Sequence, residues 1–307
     1  MASIIAKIKK HGILKSFQIA TTLLTFYLNR IPGQIKISLA KNIASCDGIL
    51  IKNIQGNPMV LDLNEVGISH ELFLTGIHEA ESTAEIRDEI KPGMSIVEIG
   101  ANIGYYAIIE AKIIGESGKI YAFEPSPTNM KTLKTNIALN SLDNIFTTYP
   151  YGVGSKSADQ EFFLMSKGNM SSFVPRKEDN IIKKVGTVNI KVVSLDDFFG
   201  INSVKIDYVR MDVEGFEFEV IKGMEGILTA EISPKGLFIE VHSELLNNMG
   251  SSCKEFIEHM VKMGYEIKRS RYRGKREICV SSTDKLLDHK LREIGYWETF
   301  FVKDQRS

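Results

Sequence analysis

The run Ser95-Ile96-Val97-Glu98-Ile99-Gly100-Ala101-Asn102-Ile103-Gly104 decides the fold. Apolar residues of strand character over 95–99 end at a glycine, and a helical pattern over 103–114 follows directly. Gly100 lets the backbone come close to a ligand. A helix starting near Ile103 would present unpaired N–H groups and a positive dipole end to it. Such a turn cradles a charged or polar cofactor. The dinucleotide fingerprint G-x-G-x-x-G requires glycine where Asn102 stands, so a nicotinamide or flavin cofactor is disfavoured. Gly118-Lys119 is followed by Ile120, so there is no Walker A loop either.

Outward from this run, strands and helices alternate. A strand over Lys119–Phe123, a helix over Thr128–Asn140 and a strand over Ile145–Tyr149 come first. Strand-like runs at 160–167 and 187–193 flank a polar loop, and short apolar runs over Asp207–Met211 and Leu237–Val241 resume the order. Alternation of this kind implies βαβ crossovers and a mostly parallel sheet with helices on both faces. A helix over Cys253–Met263, closed by Gly264, precedes a hairpin of Tyr265–Arg269 and Glu277–Ser281, which supplies an antiparallel end to the sheet. Ahead of the alternation, 49–63 reads as a β-hairpin and Glu79–Ile90 as a charged helix stopped by Lys91-Pro92-Gly93. The division expected is an N-terminal helical and hairpin extension over 1–75 and a catalytic α/β domain over 76–307.

Candidate site residues fall at strand ends. The second strand finishes in Phe123-Glu124-Pro125-Ser126, where an acid can accept both hydroxyls of a ribose. The strand Tyr208-Val209-Arg210-Met211 delivers Asp212 and Glu214 to the carboxyl edge of the sheet, where ligands of open α/β sheets gather. Asp212 can face a reacting centre there, or simply cap the next helix. His242 ends the following strand and could take a proton from an acceptor hydroxyl, although a lone histidine is more often structural. Asp212, Glu214, Glu240 and His242 could instead hold a magnesium-like ion; oxygen-rich strand ends are frequent without one, and no metal is assigned.

The chain's 307 residues carry 38 basic and 38 acidic side chains, so no global field points to nucleic acid. Lys268, Arg269, Arg271, Arg273, Lys275 and Arg276 cluster at the last hairpin, as a solvated turn balanced by acids or as an anion site. Cys46, Cys253 and Cys279 form no CxxC pair and are odd in number, which suits buried thiols in a reducing cytoplasm. Lys7, Lys9, Lys10 and Lys15 precede an uncharged stretch over 16–29, too short for a membrane span. That segment is expected to pack on the domain or on a second subunit as a homodimer contact, with peripheral membrane contact as the alternative.

Taken together, the blocks Val97-Glu98-Ile99-Gly100-Ala101-Asn102-Ile103-Gly104-Tyr105-Tyr106, Ala122–Pro127, Asn136–Asn140, Val193–Phe198, Met211–Gly215 with Glu217, and Ile239–His242 resemble the FkbM family of class I S-adenosylmethionine-dependent methyltransferases. The resemblance implies a seven-stranded Rossmann-like fold and methyl transfer, usually to a hydroxyl oxygen of a polyketide, sugar or glycan. On that pattern Glu98, Gly100, Ala101, Asn102 and Gly104 would contact the amino-acid part of S-adenosylmethionine. Glu124 would contact its ribose, and Pro125 and Ser126 beside it are also expected at the cofactor; Asp212 and His242, read above from their strand ends, are the catalytic candidates. The expected partner is a small-molecule, lipid or glycan acceptor. The competing reading is a non-catalytic protein that keeps the fold for assembly or membrane-surface binding.

Overall fold

The computed structural model describes residues 31–43, 48–178, 182–201, 203–273, 278–290 and 292–303. The expectations for the basic N-terminal segment, Cys46, Lys275 and Arg276 lie outside these. The quoted run is strand β3 (Ser95–Ile99) followed by a helix over Tyr105–Ile114. Ile96, Val97 and Ile99 are each at most 1% exposed, because both faces of the sheet are covered. Around β3 stand β4 (Lys119–Phe123), β5 (Phe146–Tyr149), β9 (Tyr208–Met211) and β10 (Gly236–His242), all paired in parallel. The chain builds outward from β3 through β4 to β5, then returns to lay β9 on the other side of β3. This reversal opens a crevice at the carboxyl ends of β3 and β9.

The antiparallel end departs from the expected final hairpin. β11 (Tyr265–Arg273) and β12 (Ile278–Val280) do pair antiparallel, but the tail forms a further strand, β13 (Tyr296–Lys303), inserted antiparallel between β10 and β11. The main sheet therefore has eight strands in the order β12-β11-β13-β10-β9-β3-β4-β5, where seven were expected. Trp297 and Phe301 of β13 are at most 1% exposed, and burying such side chains holds the strand in place.

Helix ends follow local chemistry. Ser126 caps the helix Pro127–Leu139, accepting from the Asn129 N–H, with Pro127 in its first turn. Ser252 and Glu255 form a capping box at the helix Cys253–Lys262, which buries Cys253, Phe256, Ile257 and Met260.

The lead-in hairpin pairs β1 (Ile49–Ile54) with β2 (Asn57–Asp62) around Gln55 and Gly56, both at positive φ. It is stitched to the sheet by Asn136, whose amide accepts from the Val60 N–H (2.7 Å) and donates to the Ile103 carbonyl (2.8 Å). Ile54, Met59 and Leu61 thus share a core cluster with Ile96 and Ile108. The insertion between β5 and β9 makes a separate sheet, β6 (Gly152–Val153), β8 (Lys184–Val193) and β7 (Ala158–Met165). Against the anion-site alternative, Lys268, Arg269, Arg271 and Arg273 pair with Glu81, Glu85 and Glu89 of the helix Ala80–Glu89 and with Glu298. No helix among the described residues is long and apolar enough to cross a membrane.

Candidate active site

Gly100 is the point on which the crevice turns. It has φ +82°, and a Cβ there would lie 2.0 Å from the Asp212 carbonyl oxygen, so no side chain fits between the ends of β3 and β9. The Gly100 and Ala101 N–H groups both donate to the Phe123 carbonyl, which joins the turn to β4. Asn102 also adopts positive φ (52°), and its side-chain oxygen accepts from the Ile103 N–H at 2.8 Å. Asparagine tolerates this conformation better than other side chains do.

Two clefts open at this edge. The first is lined by Gly100, Asn102, Glu124, Pro125, Asp212 and Glu214, with apolar walls from Phe123, Tyr151, Phe162 and Phe173. The Glu124 carboxylate accepts from the backbone N–H of Asn102 and of Ser126, each at 2.8 Å. Burial pushes its carboxyl up to about 7 against those two donors. The second, larger cleft is rich in acids: Glu71, Glu79, Glu81, Asp212, Glu214 and Glu240 line it, together with His242 and Tyr296. Asn169, Asp212 and Glu214 belong to both clefts and mark where they meet.

At that meeting point the charges are dense. Burial, then the neighbouring Glu214, pushes the Asp212 carboxyl up to about 7. Asp212 does not cap the following helix, which has no side-chain cap. His242 is held at Nδ1 by Glu217 (2.7 Å), while its Nε2 faces Glu214 (3.0 Å) and Glu240 (3.3 Å). Burial alone would lower the imidazole, but those three carboxylates push it well above its ordinary value. As arranged, both ring nitrogens are engaged, which argues against the proton-acceptor role expected of His242. Burial works to raise Glu214, yet His242 and Arg176 outweigh it and hold that carboxyl low.

Several residues expected to contact a cofactor are not among those lining the two clefts. Glu98 is fully buried and does not line either cleft; its side chain emerges on the opposite face of β3 from Val97 and Ile99, where Arg210 approaches at 3.4 Å. Arg210 in turn stacks on the Tyr106 ring, 3.9 Å from its centre. Gly104 packs against Leu133, Ala101 is buried outside the cleft lining, and Ser126 works as a helix cap and backbone donor. Sequence reading missed Tyr151, Phe162, Asn169 and Phe173, which the insertion sheet and the loops beside it carry to the cleft from positions without a motif.

The chain is 29% identical over 147 residues to a hexuronic acid methyltransferase, AglP, of Haloferax volcanii, covering 48% of this chain and 55% of that protein. It is 25% identical over 146 residues to Methyltransferase 1 of Beauveria bassiana, covering 42% and 58%. It therefore spans little more than half the length of either curated relative. Among solved structures, TYW2 of P. horikoshii in complex with MeSAdo aligns with a TM-score of 0.44 at 13% identity, over 84% of this chain and 73% of that one. The family described as "Methyltransferase FkbM domain" matches residues 98–267, from β3 into β11, and the chain belongs to that FkbM methyltransferase family.

Proposed function

We propose that the protein transfers the methyl group of S-adenosylmethionine to a hydroxyl oxygen of a polyhydroxylated small molecule or glycan. The observation that carries this reading is the pair of clefts meeting at Asp212 and Glu214. The first cleft suits the cofactor: it has apolar walls, it lies at the carboxyl ends of β3 and β4, and Glu124 offers a carboxylate for two ribose hydroxyls. Gly100, Asn102 and Pro125 would line the bound molecule. When bound, S-adenosylmethionine supplies an electrophilic methyl group on a sulfonium.

The protein's own work is then positioning and proton removal. The second cleft presents many carboxylate oxygens and suits a ligand rich in hydroxyl donors; the name of the Haloferax volcanii relative also points to a sugar acceptor. Asp212, reaching both clefts, would orient the acceptor hydroxyl and accept its proton. His242, fixed by Glu217, would position the carboxylates around it.

Calorimetric titration with S-adenosylmethionine and S-adenosylhomocysteine tests this directly. The wild type should bind both saturably, and Glu124→Ala should weaken binding by about ten- to a hundredfold, the worth of hydrogen bonds to a charged group. Asp212→Asn should keep cofactor binding and lose methyl transfer in a screen of glycans and hydroxylated lipids. Unchanged binding in Glu124→Ala would refute the ribose placement. No binding at millimolar ligand would favour the non-catalytic reading.

A further inference from the structure

We infer that the ends of β9 and β10 form a divalent-cation site whose ligands are Asp212, Glu240 and His242. Each offers one donor atom, and the three atoms lie within 4.8 Å of one another. Donors on one ion at about 2.0–2.3 Å stand at most roughly 4.6 Å apart, so the three atoms are near the spacing that one ion requires.

Three further features point to an ion. His242 is oriented as metal-bound histidines are: Glu217, fully buried, takes Nδ1 at 2.7 Å, and Nε2 lies among cleft carboxylates, 3.0 Å from Glu214 and 3.3 Å from Glu240, which an ion between them would draw together. Glu240 is only 6% exposed and lines the cleft, yet its nearest basic partner among the described residues is the same imidazole, at 3.3 Å, which is neutral when it binds a metal. The Asp212 Oδ1 atom is buried without a hydrogen-bond partner. A buried acceptor left so costs about 1–3 kcal/mol, more when charged.

The cations nearby do not replace an ion. Arg176 is committed to Glu214, and Arg210 lies nearer Glu98 (3.4 Å) than Asp212 (4.0 Å). Two carboxylates and one imidazole, open on the cleft side, suit Mg²⁺ or Mn²⁺, with the remaining positions free for water or ligand oxygens. In the acceptor cleft the ion would hold the hydroxyl oxygen that is to be methylated. The O–H proton passes to a free Asp212 oxygen, the oxygen's electron pair forms the new O–CH₃ bond, and the S–CH₃ pair stays on sulfur as the neutral thioether leaves. That role rests on the methyltransferase reading; the binding of the ion does not.

The test uses the full chain freed of metal with chelator, titrated with Mn²⁺ and Mg²⁺ by calorimetry and followed by the electron paramagnetic resonance of Mn²⁺. We expect one saturable Mn²⁺ site per chain, weakened roughly tenfold or more in Glu240→Gln and in His242→Gln. Glu161→Gln, on the exposed face of β7, should bind as the wild type does. Thermal melting of each metal-free variant identifies any that fails to fold, and Glu240→Gln decides if His242→Gln does. Absence of saturable binding at millimolar ion, or wild-type affinity in a folded Glu240→Gln, overturns the site. Ion binding in a protein that does not bind S-adenosylhomocysteine would keep the site and remove its assigned role in methyl transfer.

Discussion

Glu124 should make cofactor binding depend on pH. Its carboxyl is pushed up to about 7 by burial, and in the proposed placement ribose hydroxyls would donate to the ionised form. Binding therefore favours the deprotonated acid: affinity is full above about pH 7 and falls by up to tenfold, about 1.4 kcal/mol, for each pH unit below it. Titration of S-adenosylhomocysteine across this range should show the slope in the wild type and a flat, weaker profile in Glu124→Gln. A slope that survives in Glu124→Gln would assign the proton to another group. Glu124 could be placed from sequence because it follows the last residue of a strand, where side chains reach the ligand edge. Glu98 lies inside its strand, and alternation turns it away. Val97 and Ile99 packing into one core cluster while Ile96 packs into the other is the same alternation, legible in the residues themselves.

Between elements, the ladder joining the helix Ala80–Glu89 to β11 has a graded energy. Glu81, Glu85 and Glu89 recur at a spacing of four, on one helix face, opposite basic residues of a strand. Glu85 meets both Arg269 and Arg271 with its side chain 13% exposed, whereas Lys268 and Glu89 meet at 46% and 30% exposure. Glu85→Ala should cost about 1–3 kcal/mol, since it strips a partner from the nearly buried Arg271. Glu89→Ala should stay within about 0.5 kcal/mol because water screens that pair. Urea unfolding at constant m separates the two cases; equal effects would mean that the whole ladder is solvent-screened. The helix and the basic strand were each legible as patterns, but their pairing was not, because nothing in local sequence brings residue 85 to residue 271.

Across the whole molecule, the sheet closes only when the tail threads between β10 and β11. The parallel strands could be read because each is a short apolar run with a turn on either side. β13 escaped because its neighbours in the sheet are fixed by long-range packing, although Trp297, Thr299 and Phe301 alternate as a strand should. Its two faces should separate stability from function. Trp297 is fully buried, with Tyr272 5.1 Å and His289 5.3 Å away between ring centres, so Trp297→Ala should lower unfolding stability by about 3–5 kcal/mol. Tyr296 is partly exposed, lines the larger cleft and stacks on His242 at 5.4 Å. Tyr296→Ala should therefore cost less than about 1.5 kcal/mol, keep S-adenosylhomocysteine affinity, and reduce methyl transfer by disturbing the acceptor side. Denaturation and calorimetry on the two variants measure both quantities. A Tyr296→Ala protein that loses cofactor affinity as well would show that the two clefts do not divide the work, and the assignment of the larger one to the acceptor would fall.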